Sequence, residues 1–226
     1  RVFELVGGNV EFETLIHDGS EVKNGDIIAK MNGSTVTLLK GERTALNILQ
    51  HLSGIATATN KCVKLVEGTK ASITDTRKTL PGLRAMQKYA VTVGGGKNHR
   101  FNLSDGAMLK DNHLDAYGGI TGAVTALRKK IGHMVKIEVE VRNLAELQEA
   151  LDNKCEVIML DNMTPEEMTE CVKIADGKAV LEASGNINID TVAAAAATGV
   201  DIISVGAITH SVKAFDISLK IRNNEI

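Results

Sequence analysis

The sequence predicts an α/β protein built on parallel strands, and three observations predict it. Apolar runs begin at Ala71, Ala107, Val135, Val157, Ala179 and Ile202, spaced 36, 28, 22, 22 and 23 residues apart. Amphipathic helical patterns fill the gaps at Gly82–Val93, Thr121–Ile131, Leu144–Leu151, Pro165–Ala175 and Asp190–Thr198. Runs joined by helical crossovers read as parallel strands buried on both faces, with starts spaced like βα units. The third observation is that every run ends in polar residues. The period alone leaves an open doubly wound sheet and an α/β barrel both standing.

Taken in order, the first forty residues differ from the rest. Gly7, Gly8, Gly19, Gly25 and Gly33 punctuate short extended runs at Asn9–Leu15, Asp26–Met31 and Thr35–Leu39. Three strands are few for an independent domain, so the segment reads as part of a β-rich one. Glu42–Val66 then carries Ala45, Leu46, Ile48, Leu49, Leu52, Ile55 and Ala56 at helical spacing, as one long helix or two shorter ones. The six strand ends follow: Asp75-Thr76-Arg77-Lys78, Lys110-Asp111-Asn112-His113, Glu138 and Glu140, Asp161-Asn162, Glu182 to Asn186, and Gly206-Ala207. Parallel strands bring all these ends to one face, the face on which α/β barrels carry their chemistry.

Composition excludes several classes. The 226 residues hold 26 Lys+Arg and 28 Asp+Glu, for a net charge of −2, with 3% aromatic residues and no Trp. Broad phosphate-backbone binding and base stacking are poorly served, so no nucleic acid is expected. No apolar run approaches the roughly 20 residues of a membrane span, so no membrane is expected either. Cys62, Cys155 and Cys171 form no metal or redox spacing and read as core filler in a reduced, cytoplasmic compartment. The near-neutral sum hides a segregation: Asp75–Lys110 carries seven basic and two acidic residues, which leaves the rest of the chain at −7.

Familiar catalytic patterns are absent. Gly94-Gly95-Gly96-Lys97 is followed by Asn98 and lacks the spacing and the Ser/Thr of a P-loop; it reads as a flexible turn. There is no G-x-S-x-G, no H-E-x-x-H and no zinc spacing, and His17, His51, His133 and His210 read as surface or packing residues. What remains is anion chemistry. Arg77, Lys78, His99, Arg100 and Lys110 converge from the first two strand ends and their connection, and cations this close call for a ligand with several negative groups. Glu140 and Asp161 on the next two strands suit sugar hydroxyls or Mg²⁺ held through water. Ser184-Gly185-Asn186 and Val205-Gly206-Ala207 follow the last two strands, where barrels often bind phosphate. The residues by themselves describe an α/β enzyme of phosphorylated sugars.

Eight motifs stand in one order: Gly41–Asn47 (GERTALN), Asp75–Arg84 (DTRKTLPGLR), Gly95–Arg100 (GGKNHR), Leu109–His113 (LKDNH), Glu138–Glu140 (EVE), Leu160–Asn162 (LDN), Glu182–Asn186 (EASGN) and Val205-Gly206. From about Val10 to Leu219 the chain resembles the quinolinate phosphoribosyltransferase family. The resemblance implies an open, irregular α/β barrel over 54–226, with 1–53 the later part of an incomplete N-terminal α/β domain and Arg1 an internal start. It implies a pentosyltransferase that joins quinolinate to phosphoribosyl pyrophosphate in NAD biosynthesis. Nicotinate mononucleotide, pyrophosphate and carbon dioxide would be the products. Carried over by motif, Arg77, His99, Arg100 and Lys110 would receive the pyridine dicarboxylate, with Thr76 beside them and Arg43 joining from the second subunit of a homodimer or higher oligomer. Lys78 would contact substrate or pyrophosphate, Glu140 and Asp161 would face ribose and Mg²⁺, and Ser184–Asn186 with Val205–Ala207 would hold the 5′-phosphate. Two other readings compete: a related phosphoribosyltransferase-like protein with a different acceptor, and a non-catalytic module suggested by the carrier-like turn at His17–Asp26. The intact Thr76-Arg77-Lys78 and His99-Arg100 speak against the first, and the lack of a lysine at a hairpin tip speaks against the second.

Overall fold

A computed structural model describes residues 1–222. A short helix, α1 (Val2–Leu5), precedes the antiparallel pair β1 (Glu11–Thr14) and β2 (Ala29–Asn32). The third extended run is not a strand. Thr35–Leu39 opens a 31-residue helix, α2 (Thr35–Leu65), whose N-cap Ser34 accepts a hydrogen bond from the Thr37 N–H at 3.2 Å. Thr35, Val36 and Thr37 favour strands by intrinsic preference, but the cap and tertiary packing override them. Leu38, Leu46, Ile55 and Cys62 form its buried stripe, and Gly41 seats the Phe3 ring of α1, which a Cβ would meet at 2.6 Å.

The parallel strands are β3 (Ser72–Thr74), β4 (Ala107–Leu109), β5 (Ile137–Val141), β6 (Val157–Asp161), β7 (Val180–Ser184) and β8 (Ile202–Ser204). Their order is β3-β8-β7-β6-β5-β4, with every pairing parallel. The helices between them are α3 (Arg84–Val93), α4 (Asp111–Ala116), α5 (Ile120–Arg128), α6 (Leu144–Asp152), α7 (Pro165–Ala175) and α8 (Val192–Ala197), and α9 (Ala207–His210) follows β8. The short α1, α4 and α9 have too few residues to show a helical period. Helix α7 lies where the sequence puts it: Thr164 and Glu167 form a capping box, and Pro165 occupies the first turn, where its missing N–H costs nothing.

The sheet is curled. Lys97 bridges Thr74 on the free edge of β3, so the Lys97–Arg100 segment lies five strands from β5. A flat sheet would separate them by about 24 Å at 4.8 Å per strand. Yet His99 Nε2 sits 3.3 Å from Glu138 Oε2 of β5 and 3.5 Å from Glu182 Oε2 of β7. The strands therefore wrap an interior, and the seam between Lys97–Arg100 and β4 is spanned by a side chain: Arg100 donates to the Gly106 carbonyl at 3.1 Å.

The strands are buried on both faces over much of the sheet, as expected, but only one face is apolar. Ile137, Val139, Val141, Ile158, Leu160, Leu181, Ala183 and Ile203 are buried in the apolar core shared with the helices. Their neighbours Glu138, Glu140, Met159, Asp161, Glu182 and Ser184 alternate with them and share the opposite face. The barrel's core thus lies between the sheet and its helical shell, and the polar interior is left for chemistry. Cys62, Cys155 and Cys171 are free thiols, all buried in that core, as expected of filler. Among the described residues no helix is long and apolar enough to cross a membrane.

Candidate active site

The strand ends set the site's rim. Lys110, one residue beyond β4, places Nζ 2.5 Å from Glu140 Oε2 on β5. Glu140 keeps 12% of its side chain exposed and Lys110 47%, so the pair stands at an open edge. Asp161 ends β6, and its Oδ2 accepts from Asn162 Nδ2 at 2.8 Å. Asn186 Nδ2 in turn donates to Asn162 Oδ1 at 3.1 Å. This chain ties the carboxylate of β6 to the loop after β7. Both turns are tightly folded: Asn162 after β6, and Gly185 and Asn186 after β7, take φ of 53°, 91° and 52°, left-handed backbone that Gly and Asn tolerate best. At Gly185 a Cβ would lie 2.3 Å from Asn162 Oδ1, so glycine is required both for its angle and for its lack of bulk.

The cationic side is built on a buried ion pair. Asp75, at the end of β3, is fully buried and bonded to Lys88 Nζ of α3 at 2.5 Å. The same Oδ1 accepts the His99 N–H at 2.9 Å, and Lys88 also donates to the His99 carbonyl at 3.0 Å. Burial is the strongest influence on the Asp75 carboxyl and raises its pKa despite Lys88 and the His99 N–H. Two of the seven basic residues in the segregated segment are therefore structural. Lys88 anchors the main chain at His99, and Arg84 bonds Thr79 Oγ1 and the carbonyls of Phe101 and Arg77.

Arg77 and Lys78 are exposed beyond β3. The Lys78 side chain crosses to the loop after β8, where a Cβ on Gly206 would meet Lys78 Cδ at 3.2 Å, and Thr209 Oγ1 donates to the Lys78 carbonyl at 2.8 Å. Thr76 Oγ1 accepts the Lys78 N–H at 3.0 Å and shapes this turn. Arg100 is half-buried; desolvation is the main cause of its lowered pKa, and the neighbouring Arg77 adds to it. Val205 is buried, while Gly206 and Ala207 are partly exposed at the start of α9. Ser184 and Gly185 are also partly exposed. Arg43 lies on the exposed side of α2.

His99 sits beneath the rim, with 14% of its side chain exposed. Its Nδ1 accepts the Arg100 N–H at 2.7 Å and its Nε2 lies between Glu138 and Glu182. Burial opposes charge on the ring, but the two carboxylates outweigh it and raise its pKa to about 10. A ring protonated on both nitrogens would point Nδ1–H at the Arg100 N–H 2.7 Å away, so this contact favours the neutral ring with its one proton on Nε2, against the charged ring that the two carboxylates alone would favour. Both ring nitrogens are thus engaged within the protein. Burial, and to a lesser degree the Glu182 charge, raises the pKa of Glu138 against the lowering effect of His99. Glu138 Oε1 and Glu182 Oε1 are buried without hydrogen-bond partners.

Sequence reasoning did not assign roles to Glu138, Glu182, Asp75, Lys88 and Asn162. The alternation Ile137-Glu138-Val139-Glu140-Val141 is the signal for Glu138, since a charge at the midpoint of a buried strand calls for a partner. For Lys88 no local signal exists.

Two family models match the chain: the C-terminal domain of quinolinate phosphoribosyl transferase over residues 55–220 and the N-terminal domain over residues 1–53. A Bacillus subtilis (strain 168) protein named probable nicotinate-nucleotide pyrophosphorylase (carboxylating) is 45% identical over 97% of this chain and 76% of its own length. A Mycobacterium leprae nicotinate-nucleotide pyrophosphorylase (carboxylating) is 45% identical over 97% and 77%. The crystal structure of the nicotinate-nucleotide pyrophosphorylase from Ehrlichia chaffeensis superposes with a TM-score of 0.93 at 42% identity, over 98% of this chain and 80% of that one. With its parallel α/β barrel and polar interior, the chain belongs to the quinolinate phosphoribosyl transferase family.

Proposed function

We propose that the protein transfers the phosphoribosyl group of phosphoribosyl pyrophosphate to quinolinate, releasing pyrophosphate and carbon dioxide and leaving nicotinate mononucleotide. Family membership supports the reaction. The observation that carries it in this chain is the placement of two guanidinium groups at the open end of the barrel: exposed Arg77 just beyond β3, and half-buried Arg100, held at the seam by the Gly106 carbonyl, its pKa lowered by desolvation and, after it, by the Arg77 charge. Such a pair is costly unless a dianion joins it, and a pyridine dicarboxylate is a planar dianion suited to bidentate arginine.

In this reading Arg77, Arg100 and Lys110 receive the two carboxylates. The quinolinate nitrogen attacks C1′ as the C1′–oxygen bond breaks, and that electron pair leaves with pyrophosphate. The bond from C2 to its carboxylate then breaks; the pair stays on the ring carbon, which takes up a proton, and carbon dioxide departs. No side chain acts as a nucleophile. Glu140 and Asp161 offset positive charge developing on the ribose, and Lys78 receives the pyrophosphate charge. Ser184–Asn186 and Val205–Ala207 offer N–H groups to the 5′-phosphate.

Glu140 and Asp161 also suit magnesium. That ion uses one or two carboxylates and completes its shell with water and substrate phosphates, and Glu140 already shares Oε2 with Lys110, which favours contact through water. Bound with the substrate, magnesium would neutralise charge on the leaving pyrophosphate. Exposed Arg43, with Val36 and Leu39 exposed at 62% and 57% on the same helix, supports a homodimer in which Arg43 enters the second subunit's site. Three free cysteines support a reducing, cytoplasmic location.

The test is release of pyrophosphate and carbon dioxide from quinolinate, phosphoribosyl pyrophosphate and Mg²⁺. Equal turnover of nicotinate without carbon dioxide overturns the choice of acceptor.

A further inference from the structure

Two carboxylates inside the barrel have no part in the reaction as written. Glu182 keeps 2% of its side chain exposed and Glu138 10%, and each leaves one oxygen unpartnered. Buried acceptors left unpartnered are costly, so their arrangement calls for a reason. Both direct their other oxygen at His99 Nε2, from β5 and β7, the two strands that flank β6.

We propose that Glu182 and Glu138 are positioning residues for Arg100, acting through His99. Held between the two carboxylates, Nε2 keeps the single ring proton. Nδ1 is therefore bare, and it accepts the Arg100 N–H at 2.7 Å. The main chain at His99 is fixed on its other side by Asp75 Oδ1 and Lys88 Nζ. Arg100 leaves a main chain held from two directions, and its guanidinium crosses the barrel seam to the Gly106 carbonyl. A rotation of the His99 ring, or a proton on Nδ1, would turn the Arg100 N–H contact from attractive to repulsive and move the root of the arginine. Arginine's fork is useful only when aimed, so the carboxylates tune dicarboxylate recognition without touching the ligand.

A metal ion is the competing occupant, because His99, Glu138 and Glu182 offer ligand atoms within 4.8 Å of one another. The Nδ1 contact favours the proton: with Nδ1 accepting, a metal at Nε2 would require the ring to give up its last proton.

The proposal rests on the acceptor reading above for its kinetic arm, and a second arm is independent of it. Glu182→Gln retains an amide oxygen for Nε2–H, and Glu182→Leu removes it. The leucine variant is expected to raise the quinolinate KM about tenfold or more, the glutamine variant about threefold or less, with kcat and the phosphoribosyl pyrophosphate KM nearly unchanged in both. A uniform fall in kcat, or equal effects of the two variants, overturns it. Nitrogen-15 NMR of the histidines in the substrate-free protein forms the independent arm, with His99→Gln assigning the signal. The Nε2–H tautomer is expected in the wild type and lost in Glu182→Leu. An Nδ1–H tautomer, or a ring protonated on both nitrogens, in the wild type overturns the proposal even if the enzyme turns over quinolinate. So does a stoichiometric metal that Glu182→Gln releases. Should Glu182→Leu fail to fold, Glu138→Gln and Glu138→Leu carry the same comparison.

Discussion

Lys88 Nζ lies 2.5 Å from Asp75 Oδ1, and the two side chains are 3% and 0% exposed, making this the buried ion pair on which the cationic half of the site is hung. Lys88 comes from helix α3 and Asp75 from the end of β3, so the pair locks helix to strand. Through the His99 N–H and carbonyl it also sets the segment carrying Arg100.

Breaking the pair from the lysine side strands Asp75 in the core. Lys88→Met is expected to cost about 3–5 kcal/mol in denaturant unfolding at neutral pH. The Asp75 pKa is already raised in the folded state by burial, and removing Lys88 raises it further. A raised carboxyl contributes its stability below the unfolded value of 3.8, and loses it as pH climbs through the folded one. The penalty should therefore be smaller in acid than at pH 8. A loss that is independent of pH would contradict the assignment.

Arg100→Lys separates charge from geometry. Lysine keeps the cation but cannot make the two-pronged contact, and it loses the hydrogen bond to the Gly106 carbonyl. The quinolinate KM should rise about tenfold or more while that for phosphoribosyl pyrophosphate stays within about twofold. Initial-rate kinetics with each substrate varied in turn read this directly.

Gly185 tests the opposite side of the site. Alanine there would meet Asn162 Oδ1 at 2.3 Å and take a φ of 91°. The strain is of order 1–3 kcal/mol, and the chain from Asn186 through Asn162 to Asp161 must shift. Gly185→Ala should raise the KM for phosphoribosyl pyrophosphate more than that for quinolinate, the reverse of Arg100→Lys. If the two variants share one kinetic profile, the division of the site into two halves fails.

Much of this was legible in the sequence because it is periodic or local. The spacing of βα units located all six parallel strands, whose parallel order brings their polar ends to one face. Pro165 behind Thr164 fixed the start of α7. Where reading failed, the deciding partner lay far away. Thr35–Leu39 looks extended until Phe3 packs against Gly41 and Ser34 caps the helix. Lys88 is only one more basic residue of the Asp75–Lys110 segment until the fold buries it against a residue thirteen positions earlier. The partners of His99, Glu138 and Glu182, lie some forty and eighty residues on, and nothing near His99 in the sequence announces them. Periodicity reports which face a residue occupies, but not which charges share that face.

The cysteines give a pH test that is independent of the site. Burial pushes the Cys155 and Cys171 thiols up to about 11, against 9.0 for a free group. At pH 8 the folded chain should react with Ellman's reagent only as fast as it opens, and all three thiols should react at once in denaturant. The same shift bears on stability. Because each folded thiol holds its proton more tightly than the unfolded one, the neutral-thiol contribution is complete below pH 9.0 and declines as pH rises toward about 11. Replacing Cys155 and Cys171 with alanine should flatten that alkaline decline while lowering stability near pH 7 through the cavities left in the core. An unchanged slope in the double variant would mean that other groups govern alkaline unfolding.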